Sequence, residues 1–154
     1  MNQTCIVTGA GSGVGRAVVL KLAERGWPVA LVGRRAENLR ETARLAGEGT
    51  SRVRAYACDV GDAAAVMTTC RQIEQDLGPV GVLVNSAGTN VPRRALAELS
   101  LEDYHRMIAT NLHGAFYFVQ AVLPGMRERG EGTIVNIVSD AGKLASPRPA
   151  RAMS

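Results

Sequence analysis

The stretch Thr8-Gly9-Ala10-Gly11-Ser12-Gly13-Val14-Gly15 follows a short apolar run and leads into the amphipathic segment "RAVVLKLAERG". Glycines at such a junction let the main chain approach a pyrophosphate closely. The free N–H groups at a helix start, with the positive end of its dipole, then favour the anion. A glycine pattern alone also serves plain packing, and it is the place between strand and helix that makes dinucleotide binding the expectation. This is backbone chemistry, and it needs no reactive side chain.

A second place with chemical content is "LVGRRAENL", where Arg34 and Arg35 follow another apolar run. An acidic side chain there would accept hydrogen bonds from an adenosine ribose and repel a 2′-phosphate. The sequence offers Gly33 and two guanidinium groups instead. A guanidinium facing a phosphate makes charge-assisted, often paired hydrogen bonds worth about 1.5–3 kcal/mol. That is roughly ten- to more than a hundredfold in affinity, enough to decide a preference. The rival reading, arginines that merely decorate the next helix start, runs against the helix dipole, which prefers anions there. NADP(H) is the expected cofactor, and NAD the second choice.

Three further residues stand at run ends: Asp59 (followed by Val60), Asn85 in Asn85-Ser86-Ala87-Gly88, and Ser139 after "IVNIV"; a fourth, Asn111, opens "NLHGAFYFVQAVLPGM". Read locally, Asp59 is a turn former ahead of Asp62, Asn111 a helix cap, and Ser139 a strand-end turn residue. Asn85 reads as a tie between neighbouring strands.

These residues need elements to position them. Five short runs rich in valine or isoleucine have the length of buried strands: "CIVT" (5–8), "VALVG" (29–33), "VRAYAC" (53–58), "VGVLVN" (80–85) and "TIVNIV" (133–138). Helical spacing separates them. Val66, Cys70, Ile73 and Leu77 recur on one face of 62–77, with Asp62 as cap; Leu112, Phe116, Val119, Leu123 and Met126 do so in 112–126. Ser100 and Asp103 form a capping-box pattern ahead of "LEDYHRMIA". Such alternation implies right-handed crossovers and a doubly wound, Rossmann-like α/β domain with a parallel sheet. The expected strand order is 3-2-1-4-5, with the ligand outside the carboxyl ends of strands 1 and 4. All the places above except Asn111 fall at such ends.

Taken in order, Thr8-Gly9-x-x-x-Gly13-x-Gly15, Asp59-Val60, "NSAG" (Asn85 to Gly88), Asn111 and Ser139 resemble the motifs of the short-chain dehydrogenase/reductase family over residues 4–142. Ser86 departs from the family's second asparagine. The resemblance implies a cofactor-binding set of Thr8, Gly9, Ser12, Gly13, Val14, Gly15, Arg34, Arg35, Asp59, Val60, Asn85, Ala87 and Gly88. It implies Asn111 and Ser139 as catalytic residues, and an alcohol or carbonyl compound as substrate. The family also uses a tyrosine about a dozen residues after the serine and a lysine four further on. Tyr56, Tyr104 and Tyr117 fall elsewhere, and Lys143 comes too early. The expectation is therefore one domain over 1–154, truncated before the family's last strands, with 143–154 a mobile tail and the chain as given inactive. Self-association is expected through the uncovered strand 5 edge or helix 112–126.

Composition narrows the classes. The 154 residues are 46% apolar and 21% charged, ordinary for a globular domain. The net charge of +4 is spread over scattered arginines without aromatic interleaving, so no nucleic-acid partner is expected. No apolar run approaches the roughly 18 residues of a membrane span, and "MNQTCIVTG" reads as strand rather than signal peptide. Three cysteines without C-x-x-C spacing fit a reducing cytoplasm, and no metal ligation is expected. An acid at the end of strand 2 would point to an adenosylmethionine-dependent transferase, and acids at the end of strand 1 to a receiver domain. The surviving rival is a non-catalytic dinucleotide-binding or interaction module.

Overall fold

The computed structural model describes residues 3–47, 52–93 and 95–139; the expected tail 143–154, with Lys143, lies outside them. Within the described residues the five apolar runs form strands β1 (Thr4–Thr8), β2 (Val29–Gly33), β3 (Val53–Ala57), β4 (Val80–Asn85) and β5 (Thr133–Asn136). All pairings are parallel, in the order β3-β2-β1-β4-β5. Every residue of β1 is buried, as a central strand covered on both faces requires. On β3, at one edge, only Tyr56 is buried.

Helices α1 (Gly13–Glu24) and α2 (Ala36–Leu45) cover one face, and α3 (Ala63–Leu77) with α5 (Gly114–Arg129) the other. Val7, Leu31 and Val84 meet Val19 of α1 and Leu39 of α2. Ile6, Val32 and Leu83 meet Val66 and Ile73 of α3 and Phe118 and Val122 of α5. Fully burying an aliphatic or aromatic side chain is worth about 1.5–3 kcal/mol, so these two layers dominate the fold's stability. Asp62 caps α3 as expected, its side chain accepting from the N–H groups of Ala64 and Ala65. Ser100 caps α4 (Leu101–Ile108) by accepting from the Asp103 N–H.

Three expectations need correction. Strands 3 and 5 stop at Ala57 and Asn136, short of 58 and 138, because the ladder ends where β2 and β4 end. The last bonds run from the Cys58 N–H to the Gly33 carbonyl and from the Ile137 N–H to the Asn85 carbonyl, each 2.9 Å. The helix expected over 112–126 does not begin there. A π-helical turn, Ala109–His113, joins α4 to α5 without a break, so Asn111 caps nothing. Finally, the buried face of α5 is Gly114, Phe118, Val122 and Met126, whereas Leu112 and Phe116 are exposed. Gly114 sets this rotation: a Cβ there would come within 2.8 Å of Val60 Cγ2, so glycine lets the helix seat on the sheet.

Candidate functional site

β1 ends in Thr8, and its buried hydroxyl fixes the mouth of the sheet. Thr8 Oγ1 accepts from the N–H groups of Ser86 (3.1 Å) and Ala87 (3.0 Å) just past β4, the strand on the other side of the switch point. The chain then turns at Gly9, whose φ of +66° favours glycine and whose missing Cβ would lie 2.8 Å from Ala87 Cα. Gly15 is closer still: its Cβ would stand 2.3 Å from the Gly9 carbonyl oxygen. Gly13 has φ +52° with nothing within 4 Å, so its requirement is conformational and the space beside it is open.

α1 starts at this turn. Ser12 occupies the cap position without a side-chain cap bond, and the first turn carries no acidic residue. The helix's own N–H groups and dipole are thereby left to an anion from outside.

The turn, the end of β2 and the loop after β4 enclose an open cavity of about 330 Å³. Of the residues singled out in the sequence, Gly9, Ser12, Gly13, Val14, Gly15, Arg34, Arg35, Val60, Ala87 and Gly88 line it. Arg34 and Arg35 are exposed, and neither forms an ion pair among the described residues. Behind them, Gly33 packs on Leu39, where a Cβ would meet Leu39 Cδ2 at 3.3 Å.

Thr8, Asp59, Asn85, Asn111 and Ser139 do not line the cavity. Asp59 is exposed and spends a carboxylate oxygen on the Gly61 N–H at 3.0 Å, holding the turn into α3. Asn85 Nδ2 donates to Asn136 Oδ1 at 3.0 Å, tying β4 to β5. Asn111 grips the loop after β4: its Oδ1 accepts from the Thr89 N–H at 2.7 Å, and its Nδ2 donates to the Thr89 carbonyl at 2.9 Å. Ser139 is exposed, three residues beyond β5.

Sequence reasoning did not pick out Asn38, Cys58, Thr110 and Ile137, which also line the cavity. Asn38 lies on the first turn of α2, four residues after Arg34, and helical spacing from the arginines was the signal available for it. Cys58, directly ahead of Asp59-Val60, forms an apolar wall, and burial raises its thiol pKa. Thr110 belongs to the π-helical turn, which left no mark in the hydrophobic pattern.

The sequence model of the family described as short chain dehydrogenase matches residues 3–150. D-threitol dehydrogenase of Mycolicibacterium smegmatis is 41% identical over 144 residues, covering 93% of this chain and 55% of that protein. Among solved structures, a metagenomic short-chain oxidoreductase in complex with NADP superposes with a TM-score of 0.88 at 31% identity, over 94% of this chain and 61% of that one. NAD+-bound xylitol dehydrogenase also gives 0.88, at 34% identity, over 95% and 56%. The chain thus spans about half the length of the curated relatives it matches.

Proposed function

The chain belongs to the short-chain dehydrogenase family, and from that premise we propose that it is the NADP(H)-binding part of an oxidoreductase interconverting an alcohol and a carbonyl compound. The observation that carries the cofactor reading is the placement of Arg34 and Arg35 in the wall of the cavity that the glycine turn opens. Similarity of fold does not discriminate, since an NADP complex and an NAD+ complex superpose equally well. The reading rests instead on the side chains at the end of β2, where Arg34 and Arg35 directly follow Gly33.

The residues present fit a phosphorylated dinucleotide. The turn at Gly13 leaves open space, α1 begins without an acid, and two cations face the same cavity. The bound nicotinamide would supply or accept the hydride. The N–H groups at the start of α1 would hold the pyrophosphate, and Arg34 and Arg35 the 2′-phosphate. Val60 and Ala87 would exclude water beside the rings, while Thr8 and Asn85 keep the strand ends in register. By resemblance, the Ser139 hydroxyl would donate to the substrate oxygen, and Asn111 would hold the loop at Thr89 in place. The proton for that oxygen is assigned in the family to a tyrosine assisted by a lysine. None of Tyr56, Tyr104 and Tyr117 has the family spacing from Ser139.

The reading takes these 154 residues as the dinucleotide-binding part of a cytoplasmic protein. Three free, buried cysteines support that setting. Self-association through β5 or the exposed face of the helix around Leu112 and Phe116 belongs to the same proposal. The test of the cofactor reading is a fluorescence titration of the chain and of Arg34→Asp with NADPH and NADH. NADPH should bind more tightly, and the substitution should reverse the order. Equal affinities, or an indifferent Arg34→Asp, would remove the assignment.

A further inference from the structure

Arg16 stands in the first turn of α1, where the helix dipole disfavours a cation. No acid in that turn offsets it. Its half-buried guanidinium is instead spent on other parts of the fold. Nη2 donates to the Gly11 carbonyl at 2.7 Å, inside the glycine turn. Nε donates to Thr42 Oγ1 at 3.0 Å, on α2. Thr42 is fully buried, and its hydroxyl donates in turn to the Asn38 carbonyl at 2.9 Å. The two elements are also in direct contact, since a Cβ on Gly11 would stand 2.8 Å from the Asn38 Cβ. One side chain thus bridges the glycine turn and the helix that begins beside Arg34 and Arg35.

We infer that Arg16 is a positioning residue that fixes the spacing between the glycine turn and the Arg34–Arg35 pair, and thereby sets the preference for a 2′-phosphorylated dinucleotide. The inference rests on the NADP(H) reading above. A dinucleotide with both a pyrophosphate and a 2′-phosphate must satisfy both places at once. When the two places hold a fixed spacing, little ordering remains to be done on binding; when they drift, part of the second contact is lost to that ordering. A ligand without the 2′-phosphate uses only one of the places and depends less on their spacing. Arginine suits this bridge because its Nε and Nη2 form a planar fork with fixed directions to two acceptors, which a lysine ammonium on a flexible stem does not reproduce.

The experiment titrates the full chain and its variants Arg16→Ala, Arg16→Lys and Thr42→Val with NADPH and with NADH, following nucleotide fluorescence, with thermal unfolding recorded for each. Arg16→Ala is also made in an Arg34→Ala, Arg35→Ala background. Arg16→Ala should weaken NADPH by about tenfold and NADH by no more than about threefold, the size of coupling expected for one shared network. Arg16→Lys should not restore the ratio. Thr42→Val, which leaves the Arg16 charge in place, should move the ratio in the same direction. Without the arginine pair, Arg16→Ala should no longer change it.

Equal losses for the two nucleotides, or an unchanged ratio in Arg16→Ala, would overturn the inference while leaving the NADP(H) reading standing. A starting chain with no preference for NADPH would remove that reading, and the inference with it. If Arg16→Ala does not fold, the ratio in Thr42→Val decides alone, and an unshifted ratio overturns the inference.

Discussion

Asn111 pairs with both main-chain polar groups of Thr89, accepting from its N–H at 2.7 Å and donating to its carbonyl at 2.9 Å. The π-helical turn Ala109–His113 presents this side chain to the loop after β4, joining one layer of helices to the mouth of the sheet. The pair is solvent-accessible, so water can replace part of what a substitution removes. Asn111→Ala should cost about 1 kcal/mol in urea unfolding. Hydrogen exchange at the Thr89 amide gives the sharper readout. Exchange should accelerate in Asn111→Ala and stay slow in Asn111→Asp, whose carboxylate still accepts that bond. Unchanged protection in the alanine variant would show that the pairing does not hold the loop.

Gly15 admits no side chain. A Cβ at 2.3 Å from the Gly9 carbonyl would force the turn and α1 apart, because the opposing atom is backbone and cannot rotate aside. Gly15→Ala should therefore lose nucleotide affinity by more than about tenfold and lower the melting temperature. Gly13→Ala meets no atom and is strained only through φ, so it should be the milder of the two. Nucleotide titration of both variants checks the ranking, and the reverse order would contradict this account of the turn.

Burial gives the fold an alkaline limit. The thiols of Cys5 and Cys70 are each pushed up to about 12 by desolvation. A folded-state value above the unfolded one favours the neutral form, so this stability is fully present below the ordinary thiol value. It is lost as pH rises from there towards 12. Each thiol should contribute a slope of about 1.4 kcal/mol per pH unit above roughly pH 9. Urea unfolding between about pH 8 and 10 measures it below the range where the Tyr56 phenol, itself raised by burial, would ionise. The Cys5→Ala, Cys70→Ala double variant should flatten the slope; an unaltered slope would mean other groups cause it.

Much of this architecture was legible in the residues. The runs of valine and isoleucine marked five strands because both faces of central strands are covered, and Asp62 marked the start of α3 because a helix end needs an acceptor for its free N–H groups. The order of those elements was enough to place Gly9, Val60 and Ala87 around one cavity. The seam between α4 and α5 was not legible. The expected stripe holds at Met126, which is buried, and at Val119, which packs against the core, but fails at Leu112 and Phe116, which are exposed where the chain leaves the π-helical turn. Arg16 was not singled out in the sequence, since its partners Gly11 and Thr42 approach only through the packing of α1 on α2.

Two of the places with exposed apolar side chains bear on self-association. Val138 is 83% exposed beyond β5, and Leu112 and Phe116 are 60% and 58% exposed on the helical run. β5 has β4 as its one strand neighbour among the described residues, which leaves an edge able to template further pairing. The chain should scatter light as an associated species, and Val138→Lys combined with Phe116→Glu should lower the measured mass. A monodisperse monomer at micromolar concentration would contradict the proposal.

The central claim is that Arg34 and Arg35 select the 2′-phosphate. Its most direct test is calorimetric titration with ADP-ribose and with its 2′-phosphorylated form at low salt, which isolates that one group from the nicotinamide. The account predicts binding of the phosphorylated ligand at least about tenfold tighter, from charge-assisted hydrogen bonds of about 1.5–3 kcal/mol. That advantage should vanish in Arg34→Ala, Arg35→Ala. Equal affinity for the two ligands in the unsubstituted chain would contradict it.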